Sequence, residues 1–575
     1  MLSLVIGTIF ATWTSFLVSL WHKEIVAWPA VIVFFLVVLL SKPKIMKETK
    51  IFWLVITAWL LFLTRLFSQM MVEDSNGIWA GGSNVWGDWA GHAGYISNWL
   101  YGENFPPQNP WYAGTKLSYP FLFDFTSALL AKLGLSLPLS LEIPGIIFSL
   151  AIIILLYKLT EKLTKSPLAA FLSTTIFMFS GGLGFLYLLP SQNLLPFLTT
   201  QPKELTHIYE VNIQWVNFVI SEMVPQRGIL IGLGASLLTF TLWLKGYEKN
   251  NKNYFLLTGV LTGLLPFFHT HSFLAIGAIS AILFLLKPQK LWFYFFIPAS
   301  ILALPQFTYF LPQVKSYESG FIRFQPGWLA HVQSDNWFWF WFKNISFMAI
   351  LIPVALIKSW KNNRRLVFLY IPFLVIFILC NLFIFQPWEN DNSKLLRFWY
   401  LGSSILVADF LARGAKLGIF QKTLVILLFV SVTFAGFFDA YSWLNFEKNK
   451  ILMWSSQEIE LAENVKSATP KNSIFLTTDS HNHWVVDLAG RKTVMGFRGW
   501  LWSWGINYQE RELDVVKMFQ GDPTTEELLK KYKIDFVIIS PAEKTTFQAN
   551  ESYYLSRHSL LLEKHNQKIF AVNGN

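Results

Sequence analysis

The stretch NVWGDWAGHAGYISNWLYGENFPPQNPWYAGTKLSYP, residues 84–120, is the longest polar and turn-rich interruption in the first two-thirds of an otherwise apolar chain. It follows the apolar run 51–69 and places Asp88, His92 and Tyr119 among Trp, Gly and Pro residues. Loops held by rigid spans often carry function, and aromatic rings beside polar groups suit a ligand of the size of a sugar. The stretch therefore predicts an active-site loop. The alternative is an interfacial belt, in which Trp and Tyr anchor the chain among lipid headgroups.

The composition indicates a polytopic membrane protein. Of the 575 residues, 53% are hydrophobic, 17% are aromatic and 14% are charged, which is far more apolar than an average soluble domain. The net charge of +11 comes from short basic clusters between apolar runs. That pattern orients a chain in a bilayer and argues against nucleic-acid binding. The single cysteine, Cys380, lies in an apolar run, which excludes an intrachain disulfide and a thiolate metal site.

Hydropathy predicts the membrane spans, although some apolar runs are shorter than the roughly 20 residues that cross hydrocarbon. The runs are 2–21, 25–41, 51–69, 121–137, 142–158, 168–190, 228–245, 254–270, 273–287, 291–312, 337–357, 366–387, 398–413 and 420–440. The N-terminus lacks the basic segment and cleavage site of a secretory signal, so we expect the first run to be a retained span.

Basic segments between the runs predict the topology, because cytoplasmic loops are rich in Lys and Arg. These segments are 42–50, 158–165, 245–252, 287–290, 358–365 and 412–418. All six can face the cytoplasm only if one run does not cross. We predict that this run is 121–137, which carries Asp124 and Lys132 and is typical of a helix at the outer interface. The result is about thirteen spans in the plasma or inner membrane, with the N-terminus cytoplasmic and the C-terminal domain extracytoplasmic.

The chain is expected to divide into two parts. Residues 1–440 form the transmembrane domain with a large first external loop, 70–141, and residues 441–575 form a soluble α/β domain. Within the second part, 473–478 and 533–540 predict strands, 524–532 predicts a helix, and 560–572 predicts two strands around a turn. In TTDSHNHW, residues 477–484, alternate positions hold Asp479, His481 and His483. On a strand they would share one face and could bind a metal; the alternative is a short polar loop.

Cations occur in the predicted outer segments. Arg227 in VPQRG lies at the outer end of a predicted span, where a guanidinium could bind a phosphate or extend to lipid headgroups. In WENDNSKLLRFW, residues 388–399, Lys394 and Arg397 are three residues apart on one helical face. They predict an anion-binding helix start, and the alternative is a solvated interfacial turn. His269 and His271 in FFHTHS fit a ligand contact or interfacial hydrogen bonding equally.

The layout resembles the GT-C superfamily of membrane glycosyltransferases. The resemblance rests on the N-terminal spans, the large first loop with its Asp, the segment SYPFLFDFTSALLAKLG at 118–134, the many later spans and the C-terminal α/β domain. Protein O-mannosyltransferases, oligosaccharyltransferases and the lipid A aminoarabinose transferase belong to this superfamily. The first-loop acid acts there as a base or metal ligand, and Asp88 matches it. The loop reads GDWAGH here, where many members have Asp-Glu or Glu-x-Asp.

The resemblance implies transfer of a sugar from a polyprenyl-phosphate donor to a glycan, lipid or protein acceptor on the outer face, among membrane lipids. It assigns catalysis to Asp88 and His92 and donor phosphate binding to Arg227, Lys394 and Arg397. The residues expected to bind substrate are Tyr119, Glu222, Gln226, His269, His271, Asp391 and Asn392. A divalent ion, Mg or Mn, stays open as a cofactor. The alternative functions are a transporter or flippase of a lipid-linked glycan and a non-catalytic scaffold.

Overall fold

A computed structural model describes residues 2–42, 48–188, 204–315 and 321–572. Parts of the predicted basic loop 42–50 and of the predicted outer segments 190–227 and 313–336 lie outside these ranges, as does the end of the run 168–190. The chain is mainly α-helical. Its helices before the C-terminal domain are α1 Leu2–His22, α2 Trp28–Ser41, α3 Lys50–Phe67, α4 Ser83–Tyr101, α5 Leu122–Lys132, α6 Leu137–Thr164, α7 Pro167–Met178, α8 Phe185–Leu188, α9 Gly228–Lys249, α10 Lys252–Gly263, α11 Pro266–Leu286, α12 Phe293–Lys315, α13 Trp337–Ile345, α14 Met348–Asn362, α15 Arg364–Cys380, α16 Ser393–Gly414 and α17 Ile419–Ser442.

The helices make this a multi-pass membrane protein. Among the described residues, eight helices are long and apolar enough to cross a bilayer, or nine if the bent pair α13 and α14 forms one span. Four further predicted spans correspond to α2, α7, α10 and α15, which have 14, 12, 12 and 17 residues. Helices of that length rise less than the roughly 30 Å of a hydrocarbon core. The count of thirteen spans therefore stays a prediction.

The bundle is organised around α9 and α16. These are the two most buried of the long apolar helices, whereas α3 and α12 expose most of their apolar side chains. In a bilayer the exposed side chains meet lipid, and the buried pair forms the centre. Lys394, in the first turn of α16, and Arg227, directly before α9, therefore stand at the ends of central helices.

The prediction that residues 84–120 form a loop is wrong for the first half of this stretch, because residues 83–101 form the helix α4. The glycines that suggested turns serve packing instead. A Cβ on Gly91 would lie 2.9 Å from the Trp500 indole, and one on Gly94 would lie 2.4 Å from the Trp111 indole. These separations are below van der Waals contact. Glycine thus lets large side chains from other parts of the chain reach the α4 backbone.

The run 121–137 does not form a spanning helix. It contains α5, which has 11 residues, about half of what a crossing needs. Its Asp124 is 2% exposed and pairs with residues of other elements. The short helix is thus held by the bundle, and its place at the outer interface of the membrane stays a prediction.

The C-terminal residues form an α/β structure, as predicted. The strands are β1 Met71–Asp74, β2 Gly77–Ala80, β3 Arg323–Phe324, β4 Phe383–Ile384, β5 Ile451–Ser455, β6 Ile474–Leu476, β7 Lys492–Thr493, β8 Phe536–Ile539, β9 Ser559–Lys564 and β10 Gln567–Ala571. The remaining helices are α18 Phe446–Asn449, α19 Ser456–Ala468, α20 Trp484–Asp487, α21 Arg498–Ser503, α22 Gln509–Gln520, α23 Thr525–Lys531, α24 Pro541–Phe547 and α25 Glu551–Arg557.

Two sheets define this part of the molecule. Five strands follow the order β7-β6-β8-β10-β9, with β6 parallel to β7 and β8, and β10 antiparallel to its neighbours. The strand β5 instead joins the hairpin of β1 and β2. The pairing of β5 with β2 therefore joins the C-terminal residues to the segment before α4. This connection brings the C-terminal α/β part close to the helix that carries Asp88.

Candidate active site

Asp88 is the centre of a polar cluster at one end of the bundle. It lies in the second turn of α4 and is half-buried. Its Oδ2 accepts a hydrogen bond of 2.8 Å from Nε2 of Gln226. Burial raises the pKa of Asp88 above its usual value, and the nearby charges of His92 and Lys394 oppose that rise. A carboxylate with a raised pKa is a better proton acceptor.

His92 and Arg227 share one buried carboxylate, Asp124. Nδ1 of His92 lies 2.9 Å from Asp124 Oδ2, and Nε of Arg227 lies 3.2 Å from Asp124 Oδ1. The other guanidinium nitrogens donate to the Leu141 carbonyl at 2.7 Å and to Ser127 Oγ at 2.5 Å. Arg227 is only 1% exposed. A buried arginine with an acceptor at each of its three nitrogens is well suited to a structural role within the fold.

This buried cluster positions Gln226. His92 Nε2 lies 3.1 Å from the carbonyl oxygen of Pro225, and Arg227 is the next residue but one. The turn before α9 is thus held on both sides of Gln226, whose amide reaches Asp88. His92, predicted to be catalytic, and Arg227, predicted to bind the donor phosphate, both contact Asp124 in this structure. These contacts hold the turn beside Asp88, and the roles of both residues toward a substrate stay predictions.

Arg397 and Glu222 form a second buried pair. Arg397 Nε donates to Glu222 Oε1 at 2.8 Å, and its Nη2 donates to the Val216 carbonyl at 2.5 Å. The guanidinium carbon lies 4.2 Å from the centre of the Trp215 ring. Arg397 is 1% exposed and Glu222 is 2% exposed. The predicted roles of Arg397 in phosphate binding and of Glu222 in substrate binding thus conflict with where these side chains lie, packed inside the bundle.

Lys394 is the predicted phosphate ligand that faces the cluster. Its ammonium lies 3.0 Å from Asp391 Oδ1, and the two side chains are 15% and 17% exposed. Its charge acts on Asp88 and on both His269 and His271. Asn392 is buried and bonds the Cys380 and Phe383 carbonyls, so it shapes the start of α16 rather than facing a ligand.

The two histidines lie at a break in α11. The backbone at His269 leaves the helical conformation, and the two ring centres are 5.3 Å apart. His269 Nδ1 bonds Ser272 Oγ at 2.8 Å, and His271 contacts Gln386. A Cβ on Gly232 of α9 would lie 2.8 Å from His269 Nδ1. The glycine therefore lets the broken segment pack on the central helix beside Lys394.

Aromatic side chains border the Asp88 cluster on another side. Tyr119 stacks on Tyr95 with ring centres 5.6 Å apart. Burial and the negative charges of Asp124, Asp88 and Asp391 raise the pKa of Tyr119 well above 10, so it stays a phenol. Trp504 from the C-terminal domain lies 6.0 Å from Tyr119. The sequence analysis missed this indole, although FRGWLWSWG at 497–505 is conspicuously aromatic.

The predicted metal ligands do not form a metal site. Within the described ranges, no group of three or more His, Cys, Asp or Glu side chains could hold a metal ion. Asp479 pairs with Arg498 at 2.6 Å, and His481 packs on Trp86. The strand predicted to align these residues ends at Leu476. The groups that act on Asp88 include the Gln226 amide and the Lys394 ammonium. An ammonium repels a divalent cation, so these residues do not fit Mg or Mn.

The comparisons with known proteins address the fold. No family model and no curated protein matches the sequence. Among solved structures, the archaeal oligosaccharyltransferase AglB from Archaeoglobus fulgidus, in complex with an inhibitory peptide and a dolichol-phosphate, aligns with a TM-score of 0.51 and 11% identity. The alignment covers 86% of this chain and 69% of that one. This chain has the GT-C fold.

A second solved structure aligns over most of both chains. ArnT from Cupriavidus metallidurans in the apo state aligns with a TM-score of 0.49 and 9% identity, over 90% of this chain and 98% of that one. At these identities the likeness is one of fold, and activity must be argued from the site. The GT-C fold places Asp88, Gln226, Lys394, Asp391 and Tyr119 together at one end of the bundle.

Proposed function

We propose that this GT-C protein is a membrane glycosyltransferase that moves a sugar from a polyprenyl-phosphate donor to an acceptor hydroxyl on the outer face of the membrane. The observation that carries the proposal is the approach of one carboxylate and one cation from distant parts of the chain. Asp88 is held by Gln226 at 2.8 Å, and the charge of Lys394 acts on it. Such a pair can accept a proton on one side and neutralise a leaving phosphate on the other.

The proposed reaction needs no further acidic group. The acceptor oxygen bonds to the anomeric carbon of the donor sugar while Asp88 takes its proton. The bond from that carbon to the phosphate oxygen breaks, and the phosphate leaves with the electron pair. Lys394 stabilises this developing charge, with His269 and His271 beside it. A phosphate is a good leaving group, so a cation replaces the general acid that a poorer leaving group would need.

Lys394 takes the phosphate role in this proposal because its position supports it. Its side chain is partly exposed and carries one carboxylate partner, Asp391. The guanidinium groups of Arg227 and Arg397 are each 1% exposed and already paired. Removing them from those partners would leave buried charges uncompensated, which costs several kcal/mol. A flexible, partly solvated ammonium can turn to a ligand at much lower cost.

The test is the variant Asp88→Asn in membranes supplied with a polyprenyl-phosphate-linked sugar. We expect transfer to be abolished while donor binding persists, because the amide keeps the shape but cannot take a proton. Glu73→Gln is the matched control, since Glu73 is an exposed carboxylate in β1, outside the Asp88 cluster. Transfer by Asp88→Asn at the rate of the wild-type protein would refute the proposal and favour a transporter or a non-catalytic scaffold.

A further inference from the structure

Trp500 of the C-terminal domain lies against the helix that carries Asp88, and Trp504 packs beside it. Trp500 and Trp504 stack with ring centres 6.0 Å apart and planes at 24°. Trp500 packs where Gly91 leaves space, since a Cβ there would be 2.9 Å from its ring. Gly91 follows Asp88 by three residues, so both lie on one face of α4, less than one turn apart.

Tyr119 extends this surface toward the carboxylate. Its ring lies 6.0 Å from that of Trp504, and its hydroxyl is within electrostatic range of Asp88. Trp111 is fully buried and packs against both tryptophans. Its ring centre lies 5.1 Å from that of Trp500 and 5.9 Å from that of Trp504. The other three rings are all half-exposed. We call Tyr119, Trp500 and Trp504 the aromatic platform.

We propose that the aromatic platform is the acceptor subsite and that the acceptor it binds is a neutral carbohydrate. This inference rests on the proposed function, whose acceptor class it specifies. Flat indole faces stack on the C–H surface of a sugar ring, while N–H groups at their edges bond hydroxyls. Among the described residues, neither the Trp500 nor the Trp504 indole N–H donates a hydrogen bond to the protein. A ring stacked there would present a hydroxyl toward Asp88.

The surroundings favour a neutral sugar over other acceptors. Arg498, the charged residue on the same helix α21, donates to Asp479 at 2.6 Å and to Glu512 at 2.5 Å. Its charge is therefore not available to select a phosphate or a carboxylate. Peptides are often bound by pairing with an exposed strand edge, and the platform residues lie on a helix and a loop. Ring stacking is the interaction that this surface offers.

Binding of neutral trisaccharides to the purified full-length protein, without donor, tests the inference. Chitotriose, mannotriose and cellotriose serve as probes in titrations followed by saturation-transfer NMR. We expect at least one of them to bind and Trp504→Ala to weaken that binding by about tenfold, while Trp504→Phe retains most of it. Trp502→Ala is the control. Trp502 is exposed on α21, and it is two residues away from each platform indole in the sequence. It therefore does not lie on the helix face that Trp500 and Trp504 share.

The outcomes separate this inference from the proposed function. No trisaccharide binding by the wild-type protein, or equal binding by Trp504→Ala and Trp502→Ala, overturns the inference. Binding of a peptide that Trp504→Ala abolishes would overturn it as well and would identify a protein acceptor. Asp88→Asn should bind the trisaccharide as the wild-type protein does. If Asp88→Asn also transfers sugar normally, the proposed catalysis fails while the carbohydrate site stands. Unchanged melting temperatures of the variants exclude misfolding as the cause.

Discussion

At the scale of single residues, the polar side chains near Asp88 separate into those that face the cluster and those that hold it in place. Gln226 and Lys394 act directly on the Asp88 carboxyl. His92 and Arg227 act through Asp124, with which both are paired. In the sequence, Arg227 and Lys394 are equally plausible phosphate ligands. Their burial distinguishes them, because Arg227 is 1% exposed and paired with Asp124, whereas the Lys394 side chain is partly exposed.

The first prediction at this scale concerns pH. The charge of Lys394 lowers the pKa of Asp88 against the effect of burial, so Lys394→Met should raise that pKa further. The base form would then be reached only at higher pH, and the acid limb of the kcat/KM profile should move upward in pH. Donor binding should weaken as well, since a phosphate contact is lost in ground and transition states alike.

Gln226→Leu is the matched control for this pH shift. It removes the hydrogen bond that also lowers the pKa of Asp88 and leaves the Lys394 ammonium in place. We expect the acid limb to move in the same direction with donor affinity unchanged. Profiles of transfer rate against pH and donor titrations measure the two effects. An acid limb that stays in place in both variants would show that Asp88 is not the titrating base.

The second prediction at this scale concerns the Asp124 cluster. Asp124→Asn should destabilise the folded protein by about 3–5 kcal/mol, because it leaves the buried Arg227 guanidinium without its anion. The double variant Asp124→Asn/Arg227→Gln should be less destabilised than the sum of the two single variants. Unfolding of the purified protein in detergent gives the free energies. Additive losses would mean that the 3.2 Å pair contributes nothing specific.

At the scale of elements, α4 shows why the first loop was predicted incorrectly. Its glycines at positions 87, 91 and 94 and its polar residues are typical of turns, yet the segment is a helix of 19 residues. Propensity is a local property, and here tertiary contacts override it. Trp500 and Trp111 occupy the space that side chains at Gly91 and Gly94 would fill, so packing of the two indoles on α4 compensates for the weak helix propensity.

The helix α4 provides a prediction with an internal control. A Cβ at Gly94 would lie 2.4 Å from Trp111 and 2.8 Å from Asp487 Oδ1, whereas a Cβ at Gly87 meets nothing within 4 Å. Gly94→Ala should therefore destabilise the protein by about 1–3 kcal/mol through overpacking. Gly87→Ala should stabilise it by about 0.5–1 kcal/mol, since alanine is the better helix former. Thermal unfolding compares them, and equal melting temperatures would contradict the predicted packing.

At the scale of the whole molecule, orientation in the membrane is the central prediction. The basic segments should face the cytoplasm and the C-terminal domain should lie outside. The only cysteine, Cys380, is buried, so single exposed cysteines can report sidedness. In intact cells, a membrane-impermeant maleimide should label Ser552→Cys in α25 and should label Lys249→Cys at the end of α9 only after permeabilisation. Both positions are exposed. The reverse pattern would invert the topology and the proposed outer site.

The sequence by itself determined the class of the protein and most of its helices. Hydropathy is a local property of the chain, so the apolar runs predicted a polytopic bundle, and β-branched and capping patterns predicted the C-terminal strands and helices. The resemblance to the GT-C superfamily rested on the order of these segments, and the fold agrees with it. The loose GDWAGH motif sufficed to single out Asp88, which stays a prediction for catalysis.

Only the tertiary structure decided which polar residues surround Asp88 and which lie buried. Lys394 and Arg397 belong to one sequence motif, but Arg397 is enclosed by Glu222 and Trp215 while Lys394 remains partly exposed. Trp500 reaches α4 because β5 pairs with β2 and fastens the C-terminal domain there. Burial and charge pairing depend on neighbours that are distant in the chain, and no local pattern in the sequence encodes them.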